Sequence, residues 1–177
     1  TTELNNADNH KIEIIDEKIN VLYVEGMPRW EFRYLRWVLL RDPRLNVRFL
    51  MTQGDKYLAA TSPRHLGAFP SNAEEMLKYD LVILGDVHSS FFSSKQIDWI
   101  EELVKGSKTD SGGSLLMLAG PVGAPISYVD SNSTKIPEML PIRLNLDSRQ
   151  WFHANSHPVV TADGMNSSVV SLHPSKD

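Results

Sequence analysis

The chain has 177 residues, 41% of them hydrophobic and 23% charged, a length near that of one domain and apolar enough to bury a sizeable core. Eighteen Lys and Arg against twenty-two Asp and Glu give a formal net charge of -4, which argues against wrapping a polyanion, so nucleic acid is not an expected partner. Cysteine is absent, and with it go disulfides, thiolate metal sites and every thiol-nucleophile mechanism. There is no run of about 18 apolar residues, so membrane attachment is expected only through segments outside these residues.

Lys11 to Ile15 alternate, with Ile12 and Ile14 on one face, and residues 1–17 are expected to be a terminal strand or linker belonging to a preceding β-sandwich domain. From Ile19 the pattern turns to strand and helix in alternation. Ile19 to Val24 is a nearly continuous apolar run, as in a strand covered on both faces of a parallel sheet. Glu25-Gly26-Met27-Pro28 interrupts it, Pro28 suits a helix start, and Asp42-Pro43 stops that helix after about Arg41. Val47 to Met51 reads as a second strand, residues 52–70 as a long surface loop, and Ser71 to Glu75 as a short capped helix. Asp80 to Gly85 is a third strand, Ser94 to Lys105 an amphipathic helix, and Ser114 to Gly120 a fourth strand. All four strands are expected to be buried. Beyond Pro121 the chain is rich in Pro, Asn and Ser; a short helix near Thr134 to Leu140 and outlying strands around Ile142 to Leu146 are expected there.

This alternation gives an α/β fold, an open, mostly parallel sheet with helices on both faces and right-handed crossovers. Its core domain spans 18–146, with 147–177 as an irregular C-terminal extension of the same domain. Ligands of such sheets bind beyond the carboxyl ends of the strands. There Arg29, Arg33 and Arg36 form a basic stripe at i, i+4 and i+7, and Trp30, Tyr34 and Trp37 an aromatic one about 100° around. Glu25, Arg29 and Trp30 would line a pocket; against this, aromatic stripes at helical spacing usually pack on the sheet, with the arginines paired to acids. Asp86, His88 and Ser89 follow the third strand, where Asp and His offer an acid/base pair or, more commonly, turn and capping chemistry. His153 and His157 have zinc-ligand spacing, but Asn155, Ser156 and Pro158 oppose a helix between them, and no metal or cofactor is expected. The turn Leu118 to Ala124 offers no Ser, Cys, Thr or Asp nucleophile.

Three segments carry a family resemblance: Lys18 to Leu35 with Leu40-Arg41-Asp42-Pro43, Tyr79 to Val87, and Gly112 to Gly120. Together they resemble the glutamine amidotransferase-like domains of large bacterial envelope proteins of the planctomycete type, with Pro28-Arg29-Trp30-Glu31 the most specific part. The resemblance implies a flavodoxin-like, three-layer sheet of the class I glutamine amidotransferase type. It also implies a membrane-anchored envelope chain, often with a von Willebrand factor A-type or immunoglobulin-like neighbour; residues 1–17 resemble the end of the latter. Class I amidotransferases carry a cysteine in the turn after the strand equivalent to Ser114 to Gly120, and this chain has Ala119-Gly120-Pro121 there. Without a thiolate no glutaminyl thioester forms.

The expectation is therefore a catalytically inactive domain that binds a protein partner or small ligand through Glu25, Arg29, Trp30, Arg33, Asp86, His88 and Ser89. The alternative is a hydrolase or transferase with non-thiol acid/base chemistry, Asp86 and His88 acting while Arg29 holds an anion. Convergence of Glu25, Arg29, Asp86 and His88 around an open pocket would favour chemistry. Ion-paired arginines and a buried Trp30 would exclude it.

Overall fold

The computed structural model describes residues 18–54, 57–106, 112–130, 135–143 and 162–165. Four parallel strands, β1 (Ile19–Glu25), β2 (Leu45–Met51), β3 (Leu81–Leu84) and β4 (Ser114–Met117), form one sheet in the order β2-β1-β3-β4. The register sets Val24 between Leu50 and Leu84 and aligns Ile83 with Leu116. Connections are α1 (Trp30–Arg41), the short α2 (Leu58–Thr61) and α3 (Ala73–Met76), and α4 (Ser94–Lys105); α5 (Ile126–Asp130) and α6 (Lys135–Met139) follow β4. Contacts divide the chain into Thr1–Leu146 and Asp147–Asp177, and the described part of the second unit is α7 (Ala162–Met165).

Alternation along each strand builds two cores. Leu22, Val24, Val82 and Leu84 face Met76 of α3, Ile97, Ile100 and Leu103 of α4, Tyr128 of α5 and Ile136 of α6. Val21, Tyr23, Val47, Phe49 and Ile83 face Phe32 and Leu39 of α1. Helices thus cover both faces, as the βαβ alternation predicts, and the strand order is consistent with a flavodoxin-like sheet. Local signals agree: Asn72 caps α3 by accepting from the Glu75 N–H, and Ser93 with Gln96 makes a reciprocal capping box on α4.

Four expectations are corrected. The aromatic stripe of α1 does not pack on the sheet: Trp30, Tyr34 and Trp37 are 67%, 65% and 59% exposed. Phe32, Leu35 and Leu39 take the inner face instead, because Phe32 fits edge-on against Tyr23 at 5.2 Å and Phe49 at 5.8 Å between ring centres. The fourth strand is not buried: β4 lies at the sheet edge, Leu115 and Met117 pack on the α4 side, and Leu116 on the other face is 43% exposed. Residues 52–70 are not wholly loop, since they contain α2 and a bridge from Phe49 to His65 that covers part of the β2 edge. The helix expected near 134–140 is α6, and Ile142 and Arg143 are not in a strand. Residues 1–17, 144–146, His153 and His157 lie outside the described residues.

Candidate functional site

The chain runs from β1 outward to β2, then returns across β1 to β3, so the order reverses at the carboxyl ends of β1 and β3. Protein carboxylates fill this crevice. Glu25, the last residue of β1, is 0% exposed, and an ionised carboxyl in such a place requires donors. It has five: Oε1 accepts from the N–H of Gly26 at 3.0 Å, the N–H of Asp86 at 2.9 Å and Arg29 Nε at 3.3 Å, while Oε2 accepts from Arg29 Nη2 at 3.3 Å and the Tyr23 hydroxyl at 3.1 Å. Burial and the neighbouring Glu25 charge push the Tyr23 phenol up, so it stays a donor. Arg29 also donates from Nη1 to the Ala119 carbonyl at 3.1 Å, which ties the end of β1 to the turn after β4.

Asp86, 3% exposed, sits beside this pair. Its Oδ1 accepts from the N–H groups of Gly123 at 2.7 Å and Ala124 at 3.0 Å, and its Oδ2 from Val122 at 2.9 Å. Burial alone would raise its pKa; the three loop N–H groups and the Arg29 charge outweigh that and hold the carboxyl below the ordinary range. At neutral pH Asp86 is an ionised acceptor with both oxygens hydrogen-bonded by the loop, and a carboxylate held ionised in this way is a poor proton donor. The room for both groups comes from glycine. A Cβ on Gly85 would run into the Glu25 carboxyl, and one on Gly120 into that of Asp86.

The remaining predicted residues lie elsewhere. His88 is exposed and caps the 3-10 turn Ser89–Phe91, its Nδ1 2.9 Å from Ser90 Oγ and accepting from the Ser90 N–H at 3.2 Å. It makes no hydrogen bond or ion pair with Asp86. Ser89 is buried and donates its hydroxyl to the Ser127 carbonyl at 2.7 Å, while its N–H donates to Ser127 Oγ at 2.9 Å. Glu25, Arg29 and Asp86 therefore come together with both carboxylates buried, and His88 stays apart. Trp30 and Arg33 belong to the outside of α1, where the Trp30 and Tyr34 rings stack at 6.1 Å and the Arg33 guanidinium lies 5.6 Å over Trp30.

Beside that helix an open hollow of about 640 Å³ is lined by Arg29, Trp30, Arg33, Arg36, Met51 and His65, with no Asp or Glu among the described residues of its wall. Among the described residues Arg33 and Arg36 have no carboxylate partner, although Arg29 pairs with Glu25 and Arg44 with Asp42. Arg36 rests over the Phe49 ring at 5.6 Å. Burial and the Arg36 charge push the His65 imidazole below its ordinary value, and its buried Nδ1 has no hydrogen-bond partner among the described residues. A larger hollow, about 830 Å³, lies at the amino ends of β1 and β2 among Asn20, Asn46, Arg48, Glu75 and Lys78, the wrong end of the sheet for the usual ligand.

Sequence reasoning missed His65, which carries no signal inside an aperiodic loop. It also missed Tyr23 as the partner of Glu25, although residues two apart on a strand share a face. Among the described residues no cluster of His, Asp and Glu could hold a metal ion, and no helix is long and apolar enough to cross a membrane. No family model, curated protein or solved structure matches the chain.

Proposed function

We propose that the chain is a catalytically inactive domain of the class I glutamine amidotransferase-like type, acting as an interaction or ligand-sensing module in a membrane-anchored protein of the cell envelope. The observation that carries this reading is the state of the strand-end crevice. Glu25 and Asp86 are buried and their oxygens are taken up by protein donors, so neither is free to meet a substrate. The sequence contributes the second support: the turn Leu118 to Ala124, where the fold's usual reaction needs a thiolate, has none, and its N–H groups at 122–124 hold Asp86 instead. What is left facing solvent on this side is a recognition surface, the arginines and aromatic rings of α1.

The reading is tested by incubating the protein with glutamine and with chromogenic ester, amide, phosphoester and glycoside substrates. No turnover above buffer is expected. Turnover that disappears in Asp86→Asn or His88→Ala protein overturns the reading in favour of acid/base chemistry.

A further inference from the structure

We propose that the outer face of α1 and the arginine-lined hollow beside it dock an acidic segment of a partner protein, its carboxylates meeting Arg33 and Arg36 and its apolar side chains meeting Trp30, Tyr34 and Trp37. The inference rests on the interaction-module reading above. Its first ground is charge. Residues 29–48 hold six arginines against Glu31 and Asp42, four positive charges in excess, although the whole chain carries -4. Within that stretch Arg29, Arg33 and Arg36 line the hollow, whose described wall holds no carboxylate, and of the three Arg29 alone is ion-paired among the described residues. A guanidinium binds a carboxylate through a planar fork, and a desolvated arginine beside an aromatic ring gives such a contact its strength.

The second ground is the type of surface. Trp30, Tyr34, Trp37 and Arg41 fall within one narrow sector of the helix, directly opposite Phe32 and Leu39, and all four are exposed. The stripe extends about 16 Å at the helical rise. Trp, Tyr and Arg are the residues that dominate binding energy at protein interfaces.

Shape and charge select the occupant. Arg36 and Trp37 are about 100° apart around the helix, so a flat bilayer meets one flank at a time, whereas a polypeptide bends over the helix and meets both. A small anion would use the hollow and leave Tyr34 and Trp37 uncovered. A second copy of the chain is the weaker candidate, since six of its acids among the described residues are already engaged. Glu25 and Asp86 are buried, Asp42 holds Arg44, Glu74 holds Lys78, and Asp98 and Glu101 hold Lys135.

The experiment passes a degenerate pool of 12-residue peptides, with two fixed Glu and two fixed Leu or Phe positions, over the immobilised protein. The same pool with Gln in place of Glu is the control. Retention of the Glu pool is expected to exceed that of the Gln pool by about tenfold, to weaken with salt, and to fall about tenfold in Arg33→Glu and in Trp37→Ala proteins. Both side chains are exposed, and circular dichroism checks that the variants fold. Equal retention of the two pools, or retention that neither variant changes, overturns the proposal. So does cosedimentation with phosphatidylglycerol vesicles in the absence of peptide retention, which would assign the face to a membrane. A dimer in sedimentation equilibrium that Trp37→Ala dissociates would assign it to a second copy and likewise overturns it. Loss of the proposal without any substrate turnover leaves the non-catalytic reading standing; turnover removes that reading itself.

Discussion

The carboxyl end of β1, which meets that of β3, and the outer face of α1 lie a few residues apart in sequence, and each reverses the usual placement of side chains. At the strand ends two carboxylates and an arginine are withdrawn from water. On α1 three large aromatic rings, and arginines with no carboxylate partner among the described residues, are left in it. The first arrangement is closed, since each carboxylate meets its donors inside the protein, and it fixes the relative positions of β1, β3 and the turn after β4. The second is open, with apolar area and charge that nothing in the described residues satisfies. Groups with all their partners supplied are structural, and groups lacking them are available for binding.

Removing one member of the closed network should give the largest effect. Arg29→Met leaves the Glu25 carboxylate fully buried with its counter-charge gone, and the expected loss of stability is about 3–5 kcal/mol in urea unfolding. The double change Glu25→Gln with Arg29→Met should recover part of it, because position 25 no longer carries a buried charge without a counter-charge. If Arg29→Met alone is as stable as the parent, the network is ornamental and the comparison fails. Next comes Gly85→Ala, whose Cβ collides with the Glu25 carboxyl. A loss of about 1–3 kcal/mol is expected, as for overpacking of a filled core, and a neutral result would mean that Glu25 has space to move and that the crevice can open.

Asp86 gives the third effect, through pH. Its pKa in the folded protein is depressed, so its contribution is present above the ordinary carboxylate value and is lost as the pH falls through the folded value, below about pH 4. The urea midpoint should drop in that range. Asp86→Asn should be less stable by about 1–3 kcal/mol at neutral pH, where three loop N–H groups lose their charged acceptor, and its midpoint should change less on acidification. Identical pH slopes for parent and variant would show that Asp86 does not hold the loop.

Much of the fold was legible because its signals are local. The β-branched run from Ile19, the Pro28 and Pro43 boundaries and the Ser93 cap each act within a few residues, and the strands and long helices fall where these place them. The orientation of α1 was not legible, because the helix carries two apolar stripes and only packing against Tyr23 and Phe49 decides which is buried. The same limit applies to the site. Sequence position put Glu25, Arg29 and Asp86 at the ends of strands, and three-dimensional proximity then made them a network. Whether that network lines a pocket or fills one depends on Gly85 at the end of β3, and on Gly120 and the N–H groups of 122–124 in the turn after β4, far from Glu25 in sequence.

The smallest expected effect belongs to the open surface. Tyr34→Ser and Trp37→Ser remove rings that lie on the solvent side of α1, opposite Phe32 and Leu39, and exposed substitutions of this kind usually change stability by no more than about 0.5 kcal/mol. A ring packed as core would instead cost about 3–5 kcal/mol on truncation. Unfolding in urea separates the two outcomes. A large loss at either position would mean that the stripe is covered within the chain itself, and α1 would then offer no surface to a partner. A near-zero change leaves these aromatic side chains without a role in folding, and places whatever they contribute in the bound state.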